Sequence, residues 1–162
     1  MKTPAHSPDA AAVARRHGND RAALIPALQE LSAKGGLTGP VLAEVAQALG
    51  VPEAEVYGTA TFYAFLGAGK KARCVVRLCG TLSCELAGKK AVAAALERAL
   101  GIKFGQTDKK GDFALEWTSC LGMCDKGPAL LANGELYQSL TPKKVPAVIA
   151  ACRRALAAGR KK

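Results

Sequence analysis

Apolar residues recur at helical spacing through the first part of the chain. In DRAALIPALQELSAK (residues 20–34), Leu24, Leu28 and Leu31 fall on one helix face. Pro26 lies in the first turns, where proline is tolerated, and Gly35-Gly36 is the stop. A second helix is predicted from about Pro40 to Leu49, with Thr38 near its start and Gly50 as its C-terminal stop. Pro52 opens a third through VPEAEVYGTATFYAF, with Val56, Ala60 and Tyr63 on one stripe. The stretch ahead of these is rich in alanine and polar residues, so residues 1–19 are expected to be flexible. Residues 1–69 therefore predict a small N-terminal helical bundle.

After GAGKK (residues 67–71), a linker by composition, the period changes. RCVVRLC (residues 73–79) is β-prone, and ELAGKKAVAAALERAL (residues 85–100) reads as one helix with Ser83 as N-cap and Gly101 as stop. FALEWT (residues 113–118) alternates as a half-buried strand does. ALLA (residues 129–132) is a short buried strand that Asn133-Gly134 turns into ELYQS (residues 135–139), a strong hairpin signal. Thr141-Pro142 then predicts the N-cap and first position of a helix running to about Ala158. The order β-α-β-β-β-α over residues 70–158 predicts an α/β or α+β sandwich of thioredoxin-like size, followed by a basic tail over residues 159–162. No internal repeat is visible.

A chain of 162 residues has room for one medium domain or two small ones. At 49% hydrophobic residues it can build a packed core, which argues against global disorder. No apolar run reaches the roughly 18 residues a transmembrane helix needs. The opening MKTPAHSPDAAAVARRHGND is too polar for a signal peptide, and no apolar stretch follows Arg15-Arg16 as in a twin-arginine signal. A cytoplasmic location is expected, with membrane association only through a larger complex. The net charge of +10 sits in scattered doublets such as Lys70-Lys71, Lys109-Lys110 and Lys143-Lys144, a solvated basic surface. Aromatics are 5% and not interleaved with those doublets, so the stacking platform of a single-strand nucleic-acid binder is missing.

Six cysteines without an export signal argue for metal binding or catalysis rather than a disulfide framework. Cys79 and Cys84 form C-x4-C in CGTLSCELAG, and Cys120 and Cys124 form C-x3-C in CLGMCDKGP. Gly80 follows the first, and Gly122 lies inside the second pair, where glycine lets backbone N–H groups approach a bound anion. Cys79 ends a predicted strand, Cys84 opens a predicted helix, and the second pair lies in the loop after the next long strand. Loops at one end of a sheet can converge. Four thiolates suit a [2Fe–2S] cluster or a structural zinc, and spacing alone does not separate the two. The C-x4-C-x2-C run of plant-type ferredoxins is absent, as is the C-x-x-C of thiol–disulfide oxidoreductases. Cys74 and Cys152 are expected in the core, as is Trp117 beside the second loop. His6 and His17 are expected at the surface. Arg73, Arg77, Lys89, Lys90 and Lys126 are expected to be ordinary solvated charges. No acid–base pair or nucleophilic triad stands out, so no catalytic residue is assigned.

These motifs resemble the thioredoxin-like [2Fe–2S] subunit family, the 24-kDa subunit of NADH:quinone oxidoreductase (complex I) and the related subunits of NAD-linked hydrogenases and NAD-dependent formate dehydrogenases. VYGTATFYAF, CGTLSCELAG and CLGMCDKGPALLANGELYQSLTP carry the resemblance, which spans about residues 20–155. It implies a helical N-terminal subdomain, a thioredoxin-like ferredoxin domain, and a [2Fe–2S] cluster held by Cys79, Cys84, Cys120 and Cys124. It also implies a partner subunit that carries FMN and binds NAD(H), alongside further catalytic subunits. The chain would then be an electron carrier without a substrate site of its own, with no nucleic acid and no inserted membrane segment. Lys126-Gly127 before Pro128 departs from many respiratory members. That departure leans towards the soluble hydrogenase, formate dehydrogenase or bifurcating assemblies. The alternative is a zinc-stabilised interaction module.

Overall fold

The Asp9 side chain accepts the Ala12 N–H at 3.0 Å and starts the first helix, α1 (Ala10–His17). In the computed structural model, which describes residues 9–67 and 72–159, α1 buries Ala10, Val13 and Ala14. The flexible stretch expected over residues 1–19 is therefore corrected at this helix, while residues 1–8 lie outside the described residues. Alanine leaves no amphipathic signature, yet its small side chain lets helices approach closely. A 3-10 turn over Arg21–Ala23, capped by Asp20, leads into α2 (Leu24–Lys34), and α3 (Gly39–Leu49) ends on left-handed Gly50. Leu28, Leu31, Leu42 and Val45 centre this core, each fully buried side chain contributing about 1.5–3 kcal/mol. Of the stripe expected on α4 (Glu53–Phe62), Val56 and Ala60 are buried, but Tyr63 is exposed. The helix stops at Phe62, and Tyr63 turns off in extended conformation.

The chain divides into two compact units, Met1–Lys71 and Ala72–Lys162. Apart from Gly67, the linker expected over residues 67–71 lies outside the described residues, as does the tail over 160–162. The second unit is built on a five-stranded sheet. Its strands are β1 (Cys74–Cys79), β2 (Gln106–Thr107), β3 (Phe113–Thr118), β4 (Leu130–Ala132) and β5 (Glu135–Tyr137), in the order β2-β3-β1-β4-β5. β1 runs parallel to β3, with Cys74 opposite Phe113 and Cys79 opposite Thr118. β4 is antiparallel to β1, and the Asn133-Gly134 turn, with both residues at positive φ, folds β5 back on β4.

The helix predicted as continuous over residues 85–100 is two helices, α5 (Leu82–Leu86) and α6 (Lys89–Leu100). Gly88, at φ 91°, breaks it. Thr81 rather than Ser83 holds the N-cap position, and Cys84 lies within α5. The last helix, α7 (Val145–Gly159), begins later than Thr141-Pro142 predicts, because Thr141 and Lys144 close a turn, N to O 2.9 Å. Side chains alternate across β1. Cys74, Val76 and Leu78 face a core with Leu115, Leu130, Val92 and Leu96 of α6, and Val148 and Ile149 of α7. On the other face, Val75 packs with Ala72 and Ala114, and Arg77 pairs with its neighbour Glu116 at 2.9 Å.

Candidate functional site

Because β1 and β3 are parallel, their carboxyl ends lie at one edge of the sheet, and the loops that follow leave from the same place. Gly80 N–H donates to the Thr118 carbonyl at 2.8 Å and ties the first cysteine loop to the start of the second. Ala129, just past the second loop, bridges back: its carbonyl accepts Cys79 N–H at 3.0 Å, and its N–H reaches the Cys84 sulfur. A side chain in place of Gly80 would meet the Thr118 carbonyl at 3.4 Å, so the junction is tight.

The four cysteines gather as two pairs. The Cys120 and Cys124 sulfurs are 3.4 Å apart. Cys79 and Cys84 hydrogen-bond to one another. The pairs are linked across the loops: Leu121 N–H donates to Cys79, and Ser83 bonds Cys124. Among the described residues, no three cysteine, histidine or carboxylate side chains stand together as a site for one ion. Cys79 and Cys84 are buried, whereas Cys120 and Cys124 are exposed.

Backbone N–H groups aim at the sulfurs. Besides those from Leu121 and Ala129, Gly122 N–H points at the Cys120 sulfur at 3.4 Å, and Gly122 holds φ 80° to do so. Burial pushes the Cys79 thiol up, but hydrogen bonds from Thr81, Cys84 and Leu121 outweigh it, and the net shift is down. Burial pushes the Cys84 thiol up. The hydrogen bond to Cys120 raises Cys124. Four thiols, three of them with backbone N–H donors directed at the sulfur and none paired with a carboxylate ligand, fit a sulfur-ligated iron–sulfur group, whose potential such hydrogen bonds tune.

Several side chains lie where the sequence did not put them. Lys89, expected as a solvated charge, is 9% exposed. Its Nζ donates to the Gly80 carbonyl at 2.8 Å, pairs with Glu85 at 2.9 Å and lies 5.2 Å from the centre of the Trp117 ring. Arg77 is likewise buried against Glu116 rather than solvated. Trp117, expected in the core, is 48% exposed and stacks on Phe104 with ring centres 3.9 Å apart. Lys90 pairs with Glu85 at 3.1 Å on the surface, Lys126 is exposed, and Arg73 bonds Asp112 and the Leu156 carbonyl, each at 2.9 Å. Cys74 and Cys152 are buried. His17 pairs with Glu30 at 2.8 Å, and His6 lies outside the described residues. Gly127 carried no site role in the sequence. A Cβ there would lie 3.3 Å from Ala87 Cβ and 3.4 Å from Cys84 Sγ, so its lack of a side chain admits the second loop beside a candidate ligand. A glycine a few residues after the last cysteine was the available signal. The Gly127–Pro128 peptide is cis.

Leu82 and Leu86 of α5 are exposed close to the first loop, and Trp117 adds to the apolar surface near the cysteines. No helix among the described residues is long and apolar enough to cross a membrane.

Comparison with known proteins adds four findings. The family model for thioredoxin-like [2Fe–2S] ferredoxins matches residues 10–153. An NADH-quinone oxidoreductase subunit of Salmonella typhimurium is 37% identical over 137 residues, which are 83% of this chain and 82% of that relative. An NADH-quinone oxidoreductase subunit of Rhizobium meliloti is 37% identical over 145 residues, 89% of this chain and 86% of the relative. Among solved structures, a chain of an NAD+-reducing [NiFe]-hydrogenase in its H2-reduced state superposes with a TM-score of 0.73 at 29% identity. The match covers 84% of this chain and 23% of the hydrogenase chain.

Proposed function

The chain belongs to the thioredoxin-like [2Fe–2S] ferredoxin family, and from that premise we propose that it is the electron-carrying subunit of an NAD(H)-linked oxidoreductase. Cys79, Cys84, Cys120 and Cys124 hold the family's [2Fe–2S] cluster. The observation that carries the assignment is the meeting of two cysteine pairs at one sheet edge, with backbone N–H groups of Leu121, Gly122 and Ala129 aimed at three of the sulfurs. When bound, such a cluster accepts and donates single electrons.

The chain's own residues set the conditions for that exchange. Buried Cys79 and Cys84 anchor the protein side and shut water out. Exposed Cys120 and Cys124 mark the face a redox partner approaches. The N–H donors, and the Lys89 ammonium held against the Gly80 carbonyl, favour negative charge at the site. In this reading the chain carries electrons, and the substrate site lies on a partner subunit. Its partner is an FMN-carrying, NAD(H)-binding iron–sulfur flavoprotein with further catalytic subunits. Identity of 37% to NADH-quinone oxidoreductase subunits, over most of both chains, supports an assembly of that kind, against the preference drawn from Lys126-Gly127.

Anaerobic purification followed by iron, zinc and acid-labile sulfide analysis, with EPR before and after dithionite, tests the proposal. Two irons and two sulfides per chain, with a signal only on reduction, are expected. One zinc without sulfide would overturn it in favour of a structural zinc module. The flavoprotein that co-purifies identifies the assembly.

A further inference from the structure

Two cysteines take no part in the ligand loops. Cys74 opens β1, and Cys79 closes it. Five residues at about 3.3 Å each put roughly 16 Å between them. Cys74 faces the helix side of the sheet, where it meets Cys152 of α7 within the same core. Both line a cavity of about 530 Å³, together with Arg73, Asn133, Glu135 and Tyr137. A pair of free thiols, each nearly removed from solvent yet forming the wall of one open cavity, is more than core filling requires.

We infer that Cys74 and Cys152 form a second thiol site, a dithiol that reacts with a low-molecular-weight disulfide of the glutathione type and closes to an internal disulfide between β1 and α7. The two thiols have unequal roles. The two thiols share a hydrogen bond. Cys152, 6% exposed against 2% for Cys74, is the more accessible of the two from the cavity they line. Cys152 is thus the attacking thiol and Cys74 the resolving thiol. Arg73 at the cavity wall carries five donors, of which Asp112 and the Leu156 carbonyl take two, and the rest can hydrogen-bond the carboxylates of a glutathione-type disulfide.

The chemistry balances. The Cys152 thiolate attacks one sulfur of the small disulfide, whose S–S bond breaks, and one thiolate leaves with the electron pair. Cys74 then loses its proton and attacks the Cys152 sulfur of the mixed disulfide, expelling the second thiolate. The protein gives up two electrons and two protons, and one small disulfide becomes two small thiols. No iron–sulfur ligand is consumed, so the site does not depend on the electron-transfer assignment.

The test uses the cluster-loaded full chain, incubated anaerobically with mixtures of oxidised and reduced glutathione, quenched by acid, alkylated and digested with trypsin. Cys74 lies in the peptide CVVR and Cys152 in VPAVIAACR, neither of which contains another cysteine. The expected result is a CVVR–VPAVIAACR cross-link that grows with the oxidised fraction while the visible absorbance of the cluster stays constant. In Cys74→Ser the glutathione mixed disulfide should remain on Cys152. Absence of the cross-link at every ratio, or its appearance only as the absorbance bleaches, overturns the inference. Absorbance and cross-link are separate readouts, so a failed cluster assignment would not be mistaken for a failed dithiol.

Discussion

Lys89 donates from Nζ to the Gly80 carbonyl at 2.8 Å while its ammonium also pairs with Glu85 at 2.9 Å, so one side chain on α6 clamps both ends of the first cysteine loop. Gly80 follows Cys79, and Glu85 follows Cys84. A charged hydrogen bond of this kind is worth about 1.5–3 kcal/mol, and its loss leaves a carbonyl short of a partner. Lys89→Met should lower stability in urea by about 1–3 kcal/mol and speed cluster bleaching by chelator. Lys89→Arg should recover part of the loss. Lys90→Met, whose parent is exposed, is the control and should change stability by less than about 0.5 kcal/mol.

Two glycines constrain the second loop for different reasons. Gly122 sits at φ 80°, where a side chain is strained whatever the space around it. Gly122→Ala should cost about 1 kcal/mol or more and weaken the N–H contact to Cys120. Gly127 has an ordinary φ but abuts Cys84 Sγ and Ala87 Cβ. Gly127→Ala needs only a few tenths of an ångström of adjustment, whereas Gly127→Val should drive the loop off Cys84. Iron content per chain, measured after identical reconstitution, should fall in the order wild type, Gly127→Ala, Gly127→Val.

The strongly periodic parts of this fold were legible. Leu28 and Leu31 on α2, the helix ending at Leu49, the β-prone run of β1 and the Asn133-Gly134 hairpin all lie as their patterns predict. The failures share a cause, which is that pairing and packing decided matters the local pattern does not encode. β2 is two exposed polar residues made a strand only by β3. The buried face of α1 is largely alanine. Gly88 looked like a tolerated glycine inside one helix and is the hinge between two. At the site, the spacing singled out the two cysteine pairs that the fold brings to one sheet edge, but nothing local distinguishes Lys89 from Lys90. Only the fold turns one under the Gly80 carbonyl and leaves the other in water.

In the helical unit, Glu30 collects Arg16, His17 and Lys34. Hydrogen bonds from Lys34 and His17, with Arg16 alongside, hold its carboxyl from the ordinary 4.5 down to about 2. A depressed acid stabilises the folded state fully above its unfolded value, and that contribution is lost as pH falls from about 4.5 towards 2. Amide protection in α1 and α2, corrected for intrinsic exchange, should decline over that window. In Glu30→Gln it should already be lower at pH 7 and fall less on acidification. Equal pH profiles for the two proteins would show that the cation cluster has no role in holding α1 to α2.

The cysteine pairs differ in exposure, and labelling should report it. Cys120 and Cys124 are at the surface, while Cys79 and Cys84 are buried. A short pulse of iodoacetamide should therefore modify the second pair well before the first. Reconstitution with iron and sulfide should protect all four, because each sulfur then ligates metal. Cys74 and Cys152, which ligate nothing in this assignment, should label equally with and without the cluster. Peptide mass analysis reads all six positions at once. Protection that stops at Cys120 and Cys124, leaving Cys79 and Cys84 unchanged, would mean that the two loops do not share one cofactor.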